Sequence, residues 1–156
     1  MKIMFGNMGL EHIDQVVKIE EAVFPAPWSR RAFTYEVLHN SLARYVVALR
    51  GEKVVGYTGV WIILEEAHIT NVAVHPDFRR EGLGRALMLE MMRVAIYSGA
   101  SRMTLEVRPS NTAARSLYES LGFCERGLRR RYYTDTGEDA IIMWHDDLPA
   151  VGEKTL

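Results

Sequence analysis

Two stretches hold the residues with the most evident chemical capacity. The first, "HPDFRREGLGRAL" (75–87), places Gly82 and Gly84 among Arg79, Arg80 and Arg85. Glycines let a ligand approach the backbone, and arginines add charge-assisted hydrogen bonds to an anion. The stretch lacks the Lys-Ser/Thr pair of a nucleoside-triphosphate loop. Gly82-Leu83-Gly84 is followed by Arg85, Ala86 and Leu87, which fails the dinucleotide pattern G-x-G-x-x-G. Spacing leaves two possibilities open. One is an ordinary strand-to-helix turn with surface arginines. The other is a pyrophosphate site at a helix N-terminus, where the first amides lack partners and the dipole is positive.

The second stretch is "TLEVRPSNTAARSLYESLGF" (104–123). Strand alternation puts Glu106 on one face with Thr104 and Arg108, and Leu105 and Val107 on the other. A carboxylate in an apolar run needs a partner or a cleft, because burying it unpaired is costly. It is an edge residue facing solvent, an ion-pair partner of Arg108, or an acid–base group. Asn111 and Tyr118 lie seven positions apart, about two helical turns, and so share one helix face. Tyr118 suits the core as well as it suits a site. His68 shares a strand face with Thr70 and Val72 and could assist in a cleft there. Cys124 has no His or Asp patterned around it, so a small buried core residue is expected. The five histidines show no H-x3-H or HExxH spacing, and no metal site is expected.

The elements that must position these residues follow from periodicity. "LEHIDQVVKIEEAVF" carries Ile13, Val16, Val17, Glu20 and Val23 at helical spacing, the apolar members forming a stripe. "FPAPW" breaks that helix, and Ser29 N-caps a second one through about Leu38. Trp28 is expected to plug the core. "ARYVVALR" and "KVVGYTGVWIIL" flank a "GE" hairpin signal, and "AHITNVAV" is a third strand-like run. A long helix from Gly82 carries Leu83, Leu87, Met91 and Val94, with Gly99 as its C-cap. "MTLEVR" is a strand, and Ser110–Leu121 a helix capped by Ser110 and ended by Gly122. "CERGLRRRYY" and "DAIIMWHDDL" close the chain around "DTGE". The order is β-α-α-β-β-β-α-β-α-β-β. It specifies an α+β (mixed α/β) domain around a mostly antiparallel sheet with one βαβ-like crossover.

At 156 residues and 48% hydrophobic, the chain is the size of one domain, placed at 1–148 with a frayed tail at 149–156. One cysteine excludes an internal disulfide framework. No apolar run approaches the roughly 20 residues of a membrane span, and "MKIMFGNMGLEHID" lacks a signal core. A cytoplasmic protein without membrane contact is expected. The net charge of −1 gives no global field for nucleic acid, although arginines cluster in "FRREGLGR" and "ERGLRRRYY".

"VAVHPDFRREGLGRALM" resembles the acetyl-CoA signature of the GNAT acetyltransferases, [QR]-x-x-G-x-[GA], with Arg79, Gly82 and Gly84 in the defining positions. "LEVRPSNTAARSLYESLGF", "RRRYY" and "EDAIIM" are most similar to the RimI-like protein N-terminal acetyltransferases. The resemblance spans nearly the whole chain and implies the GNAT fold, with acetyl-CoA as co-substrate. It places backbone groups at Val72, Ala73 and Val74 against the pantetheine, and Arg79, Arg80, Glu81, Gly82, Leu83, Gly84 and Arg85 around the pyrophosphate. It implies a proton acceptor at Glu106, a cofactor contact at Asn111 and a proton donor at Tyr118. Phe24 and Pro25 would open a peptide-binding loop, and Tyr132 and Tyr133 would meet the peptide backbone.

The implied acceptor is a protein N-terminus. Bacterial members act on the N-terminal alanine of a small-subunit ribosomal protein, and archaeal relatives on broader sets. "FPAPWS" departs from the shorter bacterial "FPWS", so the loop leaves acceptor preference open. Amine chemistry agrees with an N-terminus: an α-amine, with pKa of about 7.7–8.0, is roughly a tenth or more neutral at pH 7, while lysine near 10.4 asks far more of a base. A small amine, a lysine side chain or a non-catalytic CoA-binding role are the alternatives.

Overall fold

The computed structural model describes residues 2–150. Its elements run β1 (Ile3–Asn7), α1 (Ile13–Val23), α2 (Arg30–His39), β2 (Ala43–Arg50), β3 (Lys53–Ile63) and β4 (Glu66–Val74). They continue with α3 (Leu83–Tyr97), β5 (Arg102–Val107), α4 (Thr112–Ser120), β6 (Cys124–Tyr133) and β7 (Glu138–His145). This is the order expected from periodicity. The strands form one sheet ordered β1-β2-β3-β4-β5-β7-β6. Among the described residues, β4 and β5 are its parallel pair and every other neighbouring pair is antiparallel. A parallel pair needs a crossover, and α3 supplies it. The expected tail, 149–156, lies outside the described residues beyond Ala150.

Each sheet face carries its own core. On one side α1 and α2 bring Val16, Ile19 and Phe33 against Tyr45, Val47 and Tyr57. On the other, α3 sets Met88, Met91 and Met92 against Val60, Ile69, Leu105 and Met143. The α1 stripe contains one charged member, Glu20, which is only 2% exposed. No helix among the described residues is long and apolar enough to cross a membrane.

Two irregularities prepare a site. First, β4 and β5 pair only where Glu66–His68 face Arg102–Thr104, and beyond that they separate. Second, the β3–β4 register steps from Gly59↔Asn71 to Val60↔Ile69, leaving Thr70 as an extra residue on β4. Such a bulge re-aims the side chains beyond it. Ala67 and Ile69 join the α3-side core, and after the bulge Ala73 joins the core under α1 and α2.

Two sequence expectations need correction. Cys124 is exposed, because β6 is the last strand of the sheet and nearly all of it faces solvent. The cap of α4 is Asn111, whose side chain accepts the Ala114 amide at 3.1 Å. Ser110 instead gives its amide to Glu138 Oε2 at 3.0 Å, one residue before the chain turns helical.

Candidate active site

Where β4 and β5 part, a cavity of about 400 Å³ opens. Thr70, Asn71 and Val72 line it from β4, and Glu106 and Val107 from β5. Asn111 and Tyr118 enter from the α4 region, Phe24, Pro25 and Trp28 from the α1–α2 loop, and Tyr132 and Tyr133 from the end of β6. Residues separated by more than 100 positions thus meet around one space. The parting strands also leave facing backbone groups without ladder partners, which a ligand lying between them can use.

Glu106 points into this space with its side chain 8% exposed. Its Oε2 lies 2.6 Å from His68 Nε2, and its Oε1 3.2 Å from Arg129 Nε. The ion pair with Arg108 is not formed. Arg108 instead bonds both carboxylate oxygens of Asp135, at 3.0 and 2.9 Å, and lies 3.5 Å from Glu138. His68 stands edge-on to Trp61 at 6.4 Å between ring centroids. The His68 ring nitrogen and the Arg129 guanidinium each hold one oxygen of the carboxylate and so fix its orientation.

Tyr118 belongs both to the core and to the cavity. It is 7% exposed, packs at 6.0 Å on Phe123, and burial pushes its phenol up to about 12. It is therefore a neutral hydrogen-bond donor at working pH. Asn111 caps α4 through Oδ1, so its carboxamide is rigidly placed where the cavity ends.

The "RREGLG" loop lies at the start of α3 and lines none of this cavity. Gly82 has φ of 76°, a left-handed conformation that favours glycine, and Arg80 has φ of 65°. The first intrahelical bond runs from Ala86 N to Gly82 O at 3.1 Å, so the amides of Leu83, Gly84 and Arg85 precede it. Arg85 reaches Ser120 Oγ at 3.0 Å, which ties the loop to the end of α4. Arg79 and Arg80 are exposed. Ala73 is buried in the α1-side core and pairs with Tyr57, and Val74 pairs with Gly56 at the strand's end, between loop and cavity. Unpaired amides, a positive helix end and exposed arginines fit the pyrophosphate of acetyl-CoA, and the parted strands fit its arm.

Two buried carboxylates anchor α1 and α2, and one of them, Glu20, also lines the cavity. Glu20 accepts from the Tyr57 hydroxyl and, at 3.0 Å, from the backbone amide of Trp28, closing the loop from Phe24 to Trp28. Burial raises its pKa despite these bonds. Glu36 accepts from Tyr45 at 2.9 Å, Trp61 at 2.6 Å and Asn40 at 2.7 Å, fixing α2 to the sheet. Trp28 is half-buried, 5.5 Å from the Phe33 ring, and serves both as a plug and as a cavity wall. Opposite, Tyr132 and Tyr133 stand edge-to-face at 5.0 Å.

Sequence reasoning passed over Glu20, Asn71 and Asp135 as cavity residues. A signal existed for Glu20, a carboxylate on an apolar helical stripe. None existed for Asn71, whose Nδ2 is buried without a hydrogen-bond partner among the described residues. No group of three or more His, Cys, Asp or Glu among the described residues is arranged to hold a metal ion.

Comparison with known proteins accords with this architecture. Residues 13–123 match the model of the acetyltransferase (GNAT) family. A putative [ribosomal protein bS18]-alanine N-acetyltransferase of Bacillus subtilis is 43% identical over 143 residues, 92% of this chain and 95% of the relative. The [ribosomal protein bS18]-alanine N-acetyltransferase of Escherichia coli K12 is 42% identical over 129 residues, covering 80% and 84%. The crystal structure of the ribosomal-protein-S18-alanine N-acetyltransferase from Escherichia coli superposes with a TM-score of 0.86 at 33% identity, covering 98% of this chain and 99% of that one.

Proposed function

The chain belongs to the GNAT acetyltransferase family, and from that premise we propose that it acetylates the α-amino group of a protein N-terminus, the N-terminal alanine of a small-subunit ribosomal protein being the expected acceptor. It is an acetyl-CoA-dependent N-acetyltransferase. The observation that carries the acceptor reading is the shape of the cavity. A carboxylate and a phenol line it together with a proline-stiffened loop and a tyrosine pair. Two walls around an open slot suit an extended chain terminus.

In this reading the α3 N-terminus with Arg79, Arg80 and Arg85 holds the pyrophosphate of acetyl-CoA. The backbone of Val72–Val74 and the Asn111 carboxamide hold its arm, and acetyl-CoA supplies the activated acetyl group. Glu106 takes the amine proton through a water molecule, with His68 at 2.6 Å and Arg129 at 3.2 Å fixing its two oxygens. The demand on this base is modest, since an α-amine is roughly a tenth neutral at pH 7.

Tyr118 donates a hydrogen bond to the departing sulfur. Its phenol, pushed up to about 12, is a weaker acid than a thiol near 8.5. Tyr118 acts by stabilising the negative charge that develops on the sulfur, and the proton that Glu106 took from the amine reaches the leaving thiolate through cleft water, so that free CoA departs as the thiol.

The test is acetyl-CoA turnover with peptides beginning Ala, Ser or Met, set against N-blocked lysine peptides and polyamines. Turnover of the free α-amine peptides, with Ala foremost, is expected. Turnover confined to blocked lysine peptides or polyamines would sink the N-terminal assignment. Tight CoA binding without any turnover would point to a non-catalytic module.

A further inference from the structure

β6 does not reach the cavity as a regular strand. Its pairing with β7 steps from Arg129↔Ala140 to Tyr133↔Glu138, so β6 advances four residues (129 to 133) while β7 advances two (140 to 138). The excess is accommodated at Arg131, whose φ of 51° lies in the left-handed region. A side chain other than glycine holds that conformation only where its surroundings compensate. Here the compensation is one bond: the Arg131 amide donates to Asp139 Oδ1 at 2.9 Å.

Tyr132 lies within this bulge and Tyr133 ends it, and both line the cavity. The far side of the pair is already fixed, because the Arg108 guanidinium lies 3.9 Å from the Tyr133 ring centroid and is itself held by Asp135. The near side depends on the bulge. Asp139 lines no part of the cavity, and the Arg131 side chain is exposed. Whatever Asp139 does for the site therefore passes through the backbone at Arg131.

We propose that Asp139 is a positioning residue for acceptor binding: by accepting the Arg131 amide it holds the β6 bulge in the form that presents Tyr132 and Tyr133 to the cavity. This rests on the assignment of those tyrosines to the acceptor peptide. It makes an unusual demand on residue 131. A glycine there takes the left-handed conformation without help, so it should make Asp139 dispensable. A role in general stability would not predict that relation.

The experiment compares Asp139→Ala, Asp139→Asn, Arg131→Gly and the Asp139→Ala/Arg131→Gly double variant in the full chain. Tyrosine ring signals by NMR report the geometry without reference to any acceptor. Steady-state kinetics with an Ala-initiated peptide report its consequence. In Asp139→Ala the Tyr132 and Tyr133 signals should move and the peptide KM rise about three- to tenfold, with kcat and the acetyl-CoA KM changed less than about twofold. Asp139→Asn keeps an acceptor oxygen and should stay near the parent. The double variant should regain the parent signals and a KM within about twofold of it.

Unmoved tyrosine signals or an unmoved peptide KM in Asp139→Ala would overturn the proposal. So would a double variant that recovers neither, and that variant also decides the matter if Asp139→Ala alone folds poorly. Signals that move and recover, in a parent enzyme that acetylates no α-amine, would leave the positioning role standing and remove the N-terminal assignment instead.

Discussion

The two ends of the site, which the proposed function assigns to donor and acceptor, are built by different means. The proposed donor loop, Arg79–Arg85, is one continuous, mostly exposed segment that presents helix-start amides and the left-handed conformation at Gly82. Its hydrogen bond to the rest of the fold is Arg85 to Ser120. The acceptor end is assembled from distant parts. Trp28 and Tyr57 meet on Glu20, Arg131 on Asp139, and Arg108 on Asp135. A backbone cradle serves any CoA thioester. A wall of long-range side-chain bonds can be reshaped without touching that cradle, so donor choice and acceptor choice can vary separately.

The chemistry lies between the two ends, and the largest effect is expected there. Glu106→Gln keeps the shape and an oxygen for Arg129 but removes the base, so kcat should fall about 10²- to 10⁴-fold with acetyl-CoA binding unchanged, as read by single-turnover assay and calorimetry. Tyr118→Phe should cost about ten- to a hundredfold in kcat at little cost in Tm, because its hydroxyl has no hydrogen bond among the described residues. Loss of acetyl-CoA affinity in either variant would mean that these residues belong to the donor end.

Glu20→Gln breaks the acceptor wall alone. Its amide can keep an oxygen toward Tyr57 but then turns an NH₂ on the Trp28 amide. The peptide KM should rise about three- to tenfold while the acetyl-CoA KM holds. Its stability has a definite pH signature. Burial raises the Glu20 pKa, so the parent protein is most favoured below the unfolded carboxylate range and loses that advantage as pH rises through the raised value. Glutamine does not titrate. The Tm of the variant relative to the parent should therefore climb as the pH rises from the unfolded carboxylate range, about 4.3, through the raised value. A flat difference would place Glu20 outside the low-dielectric wall.

The smallest effect is expected at the donor loop. Gly82→Ala meets no side chain, but the left-handed backbone costs of order 1 kcal/mol, which should lower the Tm and, where the free loop relaxes out of that conformation, weaken acetyl-CoA binding by up to about fivefold. The peptide KM should not move. A matching rise in the peptide KM would show that the two ends are coupled after all.

Much of this was legible in order along the chain. Apolar periodicity located every helix and every strand but the first, because the spacing that buries one face is a local property; β1, Ile3–Asn7, carries no such pattern and is mostly exposed. Gly82, Gly99 and Gly122 marked helix ends for the same reason, and all three adopt positive φ. Candidate residues were legible as types, and Glu106, Asn111, Tyr118, Phe24, Pro25, Tyr132 and Tyr133 do surround one cavity. Cys124 was misjudged because alternation gives no indication that β6 is the last strand and has little to pack against. Ser110 was misjudged as a cap because Ser and Asn are about equally good ones, and the turn after Pro109 selects Asn111.

By itself, then, the sequence determined most of the elements, their order and the glycine-and-arginine helix start at α3, since each depends on neighbours within a few residues. The tertiary structure alone decided that Glu106 pairs with His68 and Arg129 rather than Arg108, that Glu20 closes the acceptor loop, and that Asp139 holds Arg131. Those pairings depend on where β4 parts from β5 and on the bulges in β4 and β6. Register and separation of strands are set by the packing of the whole sheet, which no short stretch of sequence contains.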